Sequence, residues 1–191
     1  SSAASDVYKR QKESILSTRV RHASVNYVKT GFMKDGTLKA VDFKVYTNTG
    51  AYASSALNVS GAMSHKVFKA YKIDHMRFQC QPVYTNTEIA GAMRGYGSPQ
   101  VYFGWQRQMQ KIADFLHMDM ADLQMKNMVD PDSCDPIFHK PHGNSRPKDC
   151  LKRALELIDY EACLKEQEAT RNQDIRIGVG LALGVHGNNC V

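Results

Sequence analysis

The chain has 191 residues, which is enough for one well-packed domain or for a large piece of a bigger one. A hydrophobic fraction of 42% and a charged fraction of 23% argue against intrinsic disorder, and no apolar run approaches the length of a membrane span. The net charge of +6 comes from scattered basic residues without a nucleic-acid recognition motif. We therefore expect a soluble globular domain with no nucleic-acid partner and no membrane association; a basic RNA-associated domain is an alternative that rests on net charge alone.

The cysteines and the first residues bear on location and boundaries. An odd number of cysteines without C-x-x-C spacing predicts reduced thiols in a cytoplasm, and offers no zinc or iron–sulfur site. Residues 1–11 lack an initiating Met, a hydrophobic core and a basic targeting pattern, so we expect them to be a non-native leader. The cysteines in question are Cys80, Cys134, Cys150, Cys163 and Cys190.

Alternating apolar residues predict strands in the first half of the chain. The alternation around Val25 and again around Phe43 flanks the dipeptide Asp35-Gly36, which favours a tight turn because Gly tolerates positive φ. This pattern predicts a β-hairpin from about Ser24 to Thr47. A further alternation through Met76, Phe78 and Cys80 predicts a third strand that ends near Pro82.

Helical patterns follow. Ser98 is a good N-cap and Pro99 suits the first helical position, so a helix is predicted to begin there. A second helix is predicted from Asp119, ending before Asp130, and a third from Pro147 after a loop that runs to about residue 145. The first helix carries one apolar stripe at i, i+4, i+8, i+11 and i+15: Val101, Trp105, Met109, Ile112 and Leu116.

The last segment alternates apolar residues with glycines. Ile175 to Val185 places large apolar side chains on one face and Gly178, Gly180 and Gly184 on the other, which predicts a strand that a helix or another backbone approaches closely. Strands, then helices, then a strand favour an α+β fold in which a β-hairpin and strands pack with helices.

The stretch Gly91 to Gln100 is the densest candidate for chemistry. Its three glycines free the backbone for unusual dihedrals, and the helix N-terminus that follows presents unpaired N–H groups. Arg94 adds positive charge and Tyr96 an aromatic face. The residues alone are equally consistent with a loop for a polar or anionic ligand beside a planar one and with a tight turn before a capped helix.

This stretch resembles the Arg-Gly-aromatic-Gly-x-Pro-Gln loop of the xanthine dehydrogenase/aldehyde oxidase family of molybdenum hydroxylases. The resemblance covers the chain from about Lys12 onward and implies that residues 12–191 are part of a molybdenum-cofactor-binding domain, truncated at both ends. Further segments that resemble the family are Lys12–Ile15 through His22, Lys29–Gly36, Tyr46–Tyr52, Tyr84–Thr87 and Lys126–Met128.

The resemblance implies a two-electron oxidation of an N-heterocycle or an aldehyde at a molybdenum ion held by a pterin, with water as the oxygen source. Met93, Arg94 and Gly95 would contact the cofactor, Arg94 through its backbone, and Tyr96 would pack against a planar substrate. Electrons would leave through iron–sulfur clusters, with FAD also on partner domains or subunits of an oligomeric parent enzyme. The fragment alone is expected to be inactive.

Three departures from the family pattern limit what the resemblance implies. Ala62 stands where xanthine-specific members place a substrate-binding arginine, so binding of a purine in the xanthine manner is in doubt. Tyr96 replaces the commoner Phe. No glutamate, including Glu88, matches the catalytic one, so no general base is assigned. A non-catalytic binding or interaction module that retains the fold is the alternative.

Overall fold

The computed structural model describes residue 13 and residues 17–135 and 139–186. Strands β2, β3 and β4 form one sheet in that order, and β1 pairs in parallel with β5 in a second, two-stranded sheet. This mixture of sheets and helices confirms the predicted α+β class. The strands are β1 (Val20–Arg21), β2 (Ser24–Phe32), β3 (Leu38–Gly50), β4 (His75–Tyr84) and β5 (Ala90–Gly91); the helices are α1 (Ala56–Phe68), α2 (Ser98–Leu116), α3 (Met120–Asn127), α4 (Pro147–Leu157) and α5 (Tyr160–Ala169).

The predicted hairpin is confirmed. β2 and β3 pair antiparallel, with Ser24 opposite Thr47. At the turn Gly36 has a φ of +86°, and its N–H donates to the carbonyl of Met33 at 2.9 Å. The Asp35 carboxylate accepts a hydrogen bond from the amide of the residue two positions later, at 3.0 Å. The Asp-Gly pair therefore provides both the positive φ and the side-chain acceptor that such a turn needs.

The third strand is also confirmed, and it pairs in parallel with β3. Parallel neighbours require a crossover connection, which is usually a helix. Here α1 lies in that connection, although the sequence patterns did not predict it. Its buried residues include Val59, Met63 and Val67, a helical i, i+4, i+8 spacing. The mid-helix Gly61 and the β-branched valines weaken the helical propensity of this segment, which explains the omission.

Helix α2 forms the centre of the core, and its predicted apolar stripe is correct. Trp105 and Met109 are completely buried, and Ile112 is nearly so. The predicted cap needs correction, because Gly97 is the N-cap residue, Ser98 is already helical and no side chain caps the first turn. The cap residue Gly97 has a φ of +93°, in the left-handed region, which glycine adopts without strain.

The remaining helices follow the predicted starts. The Asp119 carboxylate caps α3 by accepting from the amide of Ala121 at 2.7 Å, and α4 begins at Pro147 as expected. Helix α5 was not predicted. It contains no buried residue, so no apolar stripe marked it in the sequence.

The strand predicted for 175–185 is wrong for the described residues, where this segment has no regular secondary structure and pairs with no strand. Its alternation is real, since Leu181, Leu183 and Val185 pack partly against the core. An added Cβ at Gly178, Gly180 or Gly184 would meet nothing within 4 Å, so the expected close approach of another backbone is absent from the described chain. Alternation reports a buried face, whereas a strand also needs a hydrogen-bonded neighbour.

A buried ring of hydrogen bonds joins α2, α3 and the segment that follows α1. The Tyr71 hydroxyl donates to Gln124 Oε1 at 2.7 Å and accepts from Gln106 Nε2 at 2.7 Å, and Gln124 Nε2 donates to Gln106 Oε1 at 2.6 Å. The rings of Trp105 and Tyr71 pack edge to face, with centroids 5.3 Å apart. The polar side chains of Tyr71, Gln106 and Gln124 are therefore hydrogen-bonded to one another, as burial requires.

The structure also describes the state of four cysteines and the character of the helices. Cys80, Cys134, Cys150 and Cys163 are free thiols. Across residues 17–135 and 139–186, none of the helices has the length and apolar character needed to span a bilayer.

Candidate cofactor-binding loop

The segment from Ala92 to Gly97, hereafter the glycine loop, joins β5 to the start of α2. Gly95, Tyr96 and Gly97 have φ values of +91°, +43° and +93°, three consecutive residues in the left-handed region. The Tyr96 amide donates to the carbonyl of Met93 at 2.9 Å, and the Ser98 amide donates to the carbonyl of Gly95 at 3.0 Å. These bonds fold the loop into two successive tight turns directly before the helix.

The two inner glycines are required by space as well as by φ. A Cβ on Gly95 would lie 2.8 Å from Pro99 Cδ. A Cβ on Gly97 would lie 2.8 Å from Met63 Cγ and 3.0 Å from the carbonyl oxygen of Val59. The loop backbone therefore packs directly on helix α1, at distances that no other residue type allows without a shift of the neighbours.

Lys66 of α1 holds the inner side of the glycine loop. It is 9% exposed, and its Nζ donates to the carbonyl of Gly95 at 2.9 Å and to that of Tyr96 at 2.7 Å. The same ammonium lies 5.5 Å from the centre of the Tyr96 ring, within the range of a cation–π contact. The Tyr102 hydroxyl in turn donates to the Lys66 carbonyl at 2.6 Å; burial raises the pKa of Tyr102 and keeps it a donor.

Arg21 of β1 holds the outer side. Its guanidinium donates to the carbonyl of Arg94 at 2.9 Å, and the residue pairs with Gly91 in the short parallel ladder. The glycine loop is thus fixed by one cation from α1 and one from β1. Both donate charge-assisted hydrogen bonds to backbone carbonyls of the loop.

The outermost part of the loop presents donors to solvent. Ala92, Met93 and Arg94 are exposed, whereas Gly95 and Tyr96 are half-buried. No backbone carbonyl in the described part of the chain accepts a hydrogen bond from the amides of Met93, Arg94 or Gly95. Successive backbone N–H groups next to a positive side chain suit a ligand with anionic or acceptor atoms.

The four residues predicted to form the site lie together in this loop. Met93 and Arg94 are at its exposed tip, Gly95 is at its first left-handed position, and Tyr96 is beside it with its ring on Lys66. The sequence reasoning missed Lys66. Lys66 is recognisable as a buried lysine that needs a polar partner only once α1 is known, and the sequence did not predict that helix.

Ala62, the residue expected from the sequence at the position of the family's substrate-binding arginine, is half-buried on α1, one helical turn before Lys66. Among the described residues, no three His, Cys, Asp or Glu side chains lie close enough together to hold a metal ion directly. Any metal bound near the loop would therefore have to arrive within a cofactor or be held by groups outside the described residues.

An α+β domain with an exposed, glycine-rich loop of unpaired amides at the start of a central helix has the features of a cofactor-binding domain. The comparison with protein families identifies which one. Residues 6–128 match the model of the molybdopterin cofactor-binding domain. The chain belongs to this family.

Individual relatives agree with this assignment. The xanthine dehydrogenase molybdenum-binding subunit of Escherichia coli O157:H7 is 32% identical over 94% of the chain, which spans 24% of that protein. The nicotinate dehydrogenase large molybdopterin subunit of Eubacterium barkeri is 35% identical over 63% of the chain and 28% of its own length. The chain spans about a quarter of the length of these curated relatives.

The fold itself is shared with solved enzymes. Aldehyde oxidoreductase from Desulfovibrio gigas superposes with a TM-score of 0.75 at 27% identity, over 84% of the chain and 17% of that enzyme. CO dehydrogenase from Oligotropha carboxidovorans superposes with a TM-score of 0.73 at 22% identity, over 88% of the chain and 23% of that protein. The latter likeness concerns the fold alone.

Proposed function

We propose that this chain forms one wall of the molybdenum site of a hydroxylase. The enzyme oxidises an N-heterocycle or an aldehyde with water as the oxygen source and passes electrons to iron–sulfur clusters on another domain or subunit. Support comes from the family and from relatives described as xanthine dehydrogenase, nicotinate dehydrogenase and aldehyde oxidoreductase. The single observation that carries the proposal is the set of unpaired loop amides within the family's own motif.

The donors of the glycine loop fit such a cofactor. Oxygen and sulfur atoms around a pterin-held metal accept hydrogen bonds. The amides of Met93, Arg94 and Gly95 have no backbone acceptor among the described residues, and Met93 and Arg94 are exposed. When bound, the molybdenum cofactor supplies the two-electron oxidation. These residues bind and orient it through the backbone, which suits the engagement of the Arg94 carbonyl by Arg21.

Tyr96 provides the substrate contact in this proposal. Its half-buried ring is held from below by the Lys66 ammonium, so it offers a flat surface of fixed position. Aromatic rings pack against planar substrates face to edge or in offset stacks. Ala62, one turn before Lys66 on α1, adds no charge, which favours an aldehyde or a nicotinate-like heterocycle over a purine bound in the xanthine manner.

The partners follow from the size of the relatives. The remaining molybdenum domain and the iron–sulfur and flavin domains or subunits would complete the enzyme, in an oligomer of the cytoplasm. The catalytic base would come from the segments outside this chain, and the chain alone would be inactive.

The test is the molybdenum and pterin content of the full-length protein, purified anaerobically under reducing conditions from its native host. We expect stoichiometric amounts of both in the wild type and a loss of most of both in Gly95→Ala. Gly95 is left-handed and its new Cβ would lie 2.8 Å from Pro99 Cδ, so the loop backbone that binds the cofactor would have to shift. Gly143→Ala is the matched control: its φ is +60° but a Cβ would meet nothing within 4 Å.

A folded wild-type protein with neither molybdenum nor pterin, after molybdate has been supplied, would overturn the proposal and support a non-catalytic module. Equal cofactor loss in the Gly95 and Gly143 variants would also count against it, because the effect would then be one of backbone strain in general.

A further inference from the structure

We infer that Lys66 is a positioning residue, which fixes the glycine loop and the ring of Tyr96 and does not serve as a cation for the substrate. The part of this inference that concerns substrate rests on the proposed function. The part that concerns the loop rests on the geometry of Lys66 alone.

The first observation concerns the hydrogen-bond partners of the Lys66 ammonium. Lys66 is 9% exposed, so its charge needs polar partners to compensate for lost hydration. It donates to the carbonyls of Gly95 and Tyr96, two consecutive residues with positive φ. One cationic group thus bridges both carbonyls, a contact that an apolar side chain of similar shape cannot make.

The second observation concerns the ring. The Lys66 ammonium lies 5.5 Å from the Tyr96 ring centre while it holds the carbonyl of the same residue at 2.7 Å. Backbone and side chain of Tyr96 are therefore restrained from one point. Removal of the ammonium should release the loop turn and the ring orientation together.

The third observation is that the backbone of Lys66 is itself held in place by α2. The Tyr102 hydroxyl donates to the Lys66 carbonyl at 2.6 Å, so α2 fixes the lysine backbone while the lysine side chain fixes the loop that precedes α2. Ala62, one turn earlier on α1, carries no charge. The Lys66 ammonium therefore binds the protein's own backbone carbonyls, at Gly95 and Tyr96.

Hydrogen–deuterium exchange of the loop peptide in the full-length protein tests the positioning role without requiring cofactor. The amides of Tyr96 and Ser98 donate to carbonyls within the loop and report its closure. In Lys66→Met we expect these amides to exchange at least about ten-fold faster, because two charge-assisted hydrogen bonds are lost. Lys66→Arg should recover part of the protection, and Lys111→Met, at an exposed site on α2, should match the wild type.

Exchange in Lys66→Met within about two-fold of the wild type would overturn the positioning role, whatever the cofactor content. If Lys66→Met does not fold, Lys66→Leu replaces it, since it also lacks the charge and every hydrogen-bond donor; wild-type protection in that variant would be equally decisive against the role. A wild type without molybdenum would refute the proposed function while this exchange measurement still decides the role of Lys66.

Kinetics of the cofactor-loaded enzyme test the second half of the inference. A positioning residue predicts that kcat/KM falls in Lys66→Met by a similar factor for a neutral aromatic aldehyde and for a heteroaromatic carboxylate. A loss confined to the carboxylate, mainly in KM, would overturn the inference and identify Lys66 as a substrate cation.

Discussion

Replacement of Gly97 by alanine tests the packing of the glycine loop on α1. Gly97 is the N-cap of α2, with a φ of +93°. A left-handed backbone costs an L-residue about 1–2 kcal/mol, because its Cβ crowds the following carbonyl. The new Cβ would also lie 2.8 Å from Met63 Cγ and 3.0 Å from the carbonyl oxygen of Val59.

The second contact determines how large the effect becomes. Met63 is flexible and can move its side chain, but the Val59 oxygen belongs to the α1 backbone, so relief requires a shift of the helix. Overpacking of this kind costs about 1–3 kcal/mol. Together with the backbone term, we expect Gly97→Ala to lower the free energy of unfolding by about 2–5 kcal/mol.

Urea denaturation at neutral pH, followed by far-UV circular dichroism, measures this change. The matched control is Gly61→Ala, an exposed mid-helix position on α1 where an added Cβ meets nothing within 4 Å. There alanine should raise the free energy of unfolding by about 1 kcal/mol, through helix propensity. A Gly97→Ala protein less than about 1 kcal/mol weaker than the wild type would refute the reasoning on the cap.

Three further predictions concern the core and one surface carboxylate. Tyr71→Phe leaves two buried glutamine groups without a partner and should cost about 2–4 kcal/mol in a urea titration; an effect below about 1 kcal/mol contradicts the closed ring. Asn127→Ala removes the side chain that joins α3 to the hairpin turn and should cost a similar amount, with a neutral result ruling out that link. Hydrogen bonds from Lys148 and Lys72 lower the pKa of Asp130 to about 2, so its stabilisation is present above the unfolded pKa of about 3.9 and lost as the pH falls through about 2. Asp130→Asn should therefore destabilise at pH 7 but converge with the wild type towards pH 2, and a difference that grows on acidification would contradict this assignment.

Local signals were sufficient for the elements whose stability is local. The Asp35-Gly36 turn predicted the hairpin and its positive φ, and the stripe through Trp105 predicted the buried face of α2. Helix α1 escaped prediction for a physical reason. Its buried face contains Lys66, and Gly61 interrupts its helical propensity, so neither polarity nor propensity marks it as the crossover that the parallel pairing of β3 and β4 requires.

Contacts between distant residues set the limit of sequence reasoning at the site. The four loop residues could be predicted because they are contiguous in one motif. Lys66 and Arg21 reach the loop from 29 and 73 positions away in sequence, and nothing in the local pattern of either residue specifies that contact. The same limit explains the failed strand at 175–185: alternation identified its buried face, but only a neighbouring strand could supply the ladder.

Helix α1 contacts the glycine loop in two ways, and these should affect the stability of the fold and the rigidity of the loop differently. Gly97 touches the α1 backbone through van der Waals contact, so its replacement should disturb stability and loop shape at once. Lys66 reaches the loop through a flexible stem and acts on the carbonyls of Gly95 and Tyr96, so its replacement should loosen the loop while the contact between α1 and α2 stays in place. If the loop binds cofactor through a preset backbone, cofactor content should follow loop protection across these variants more closely than it follows the free energy of unfolding.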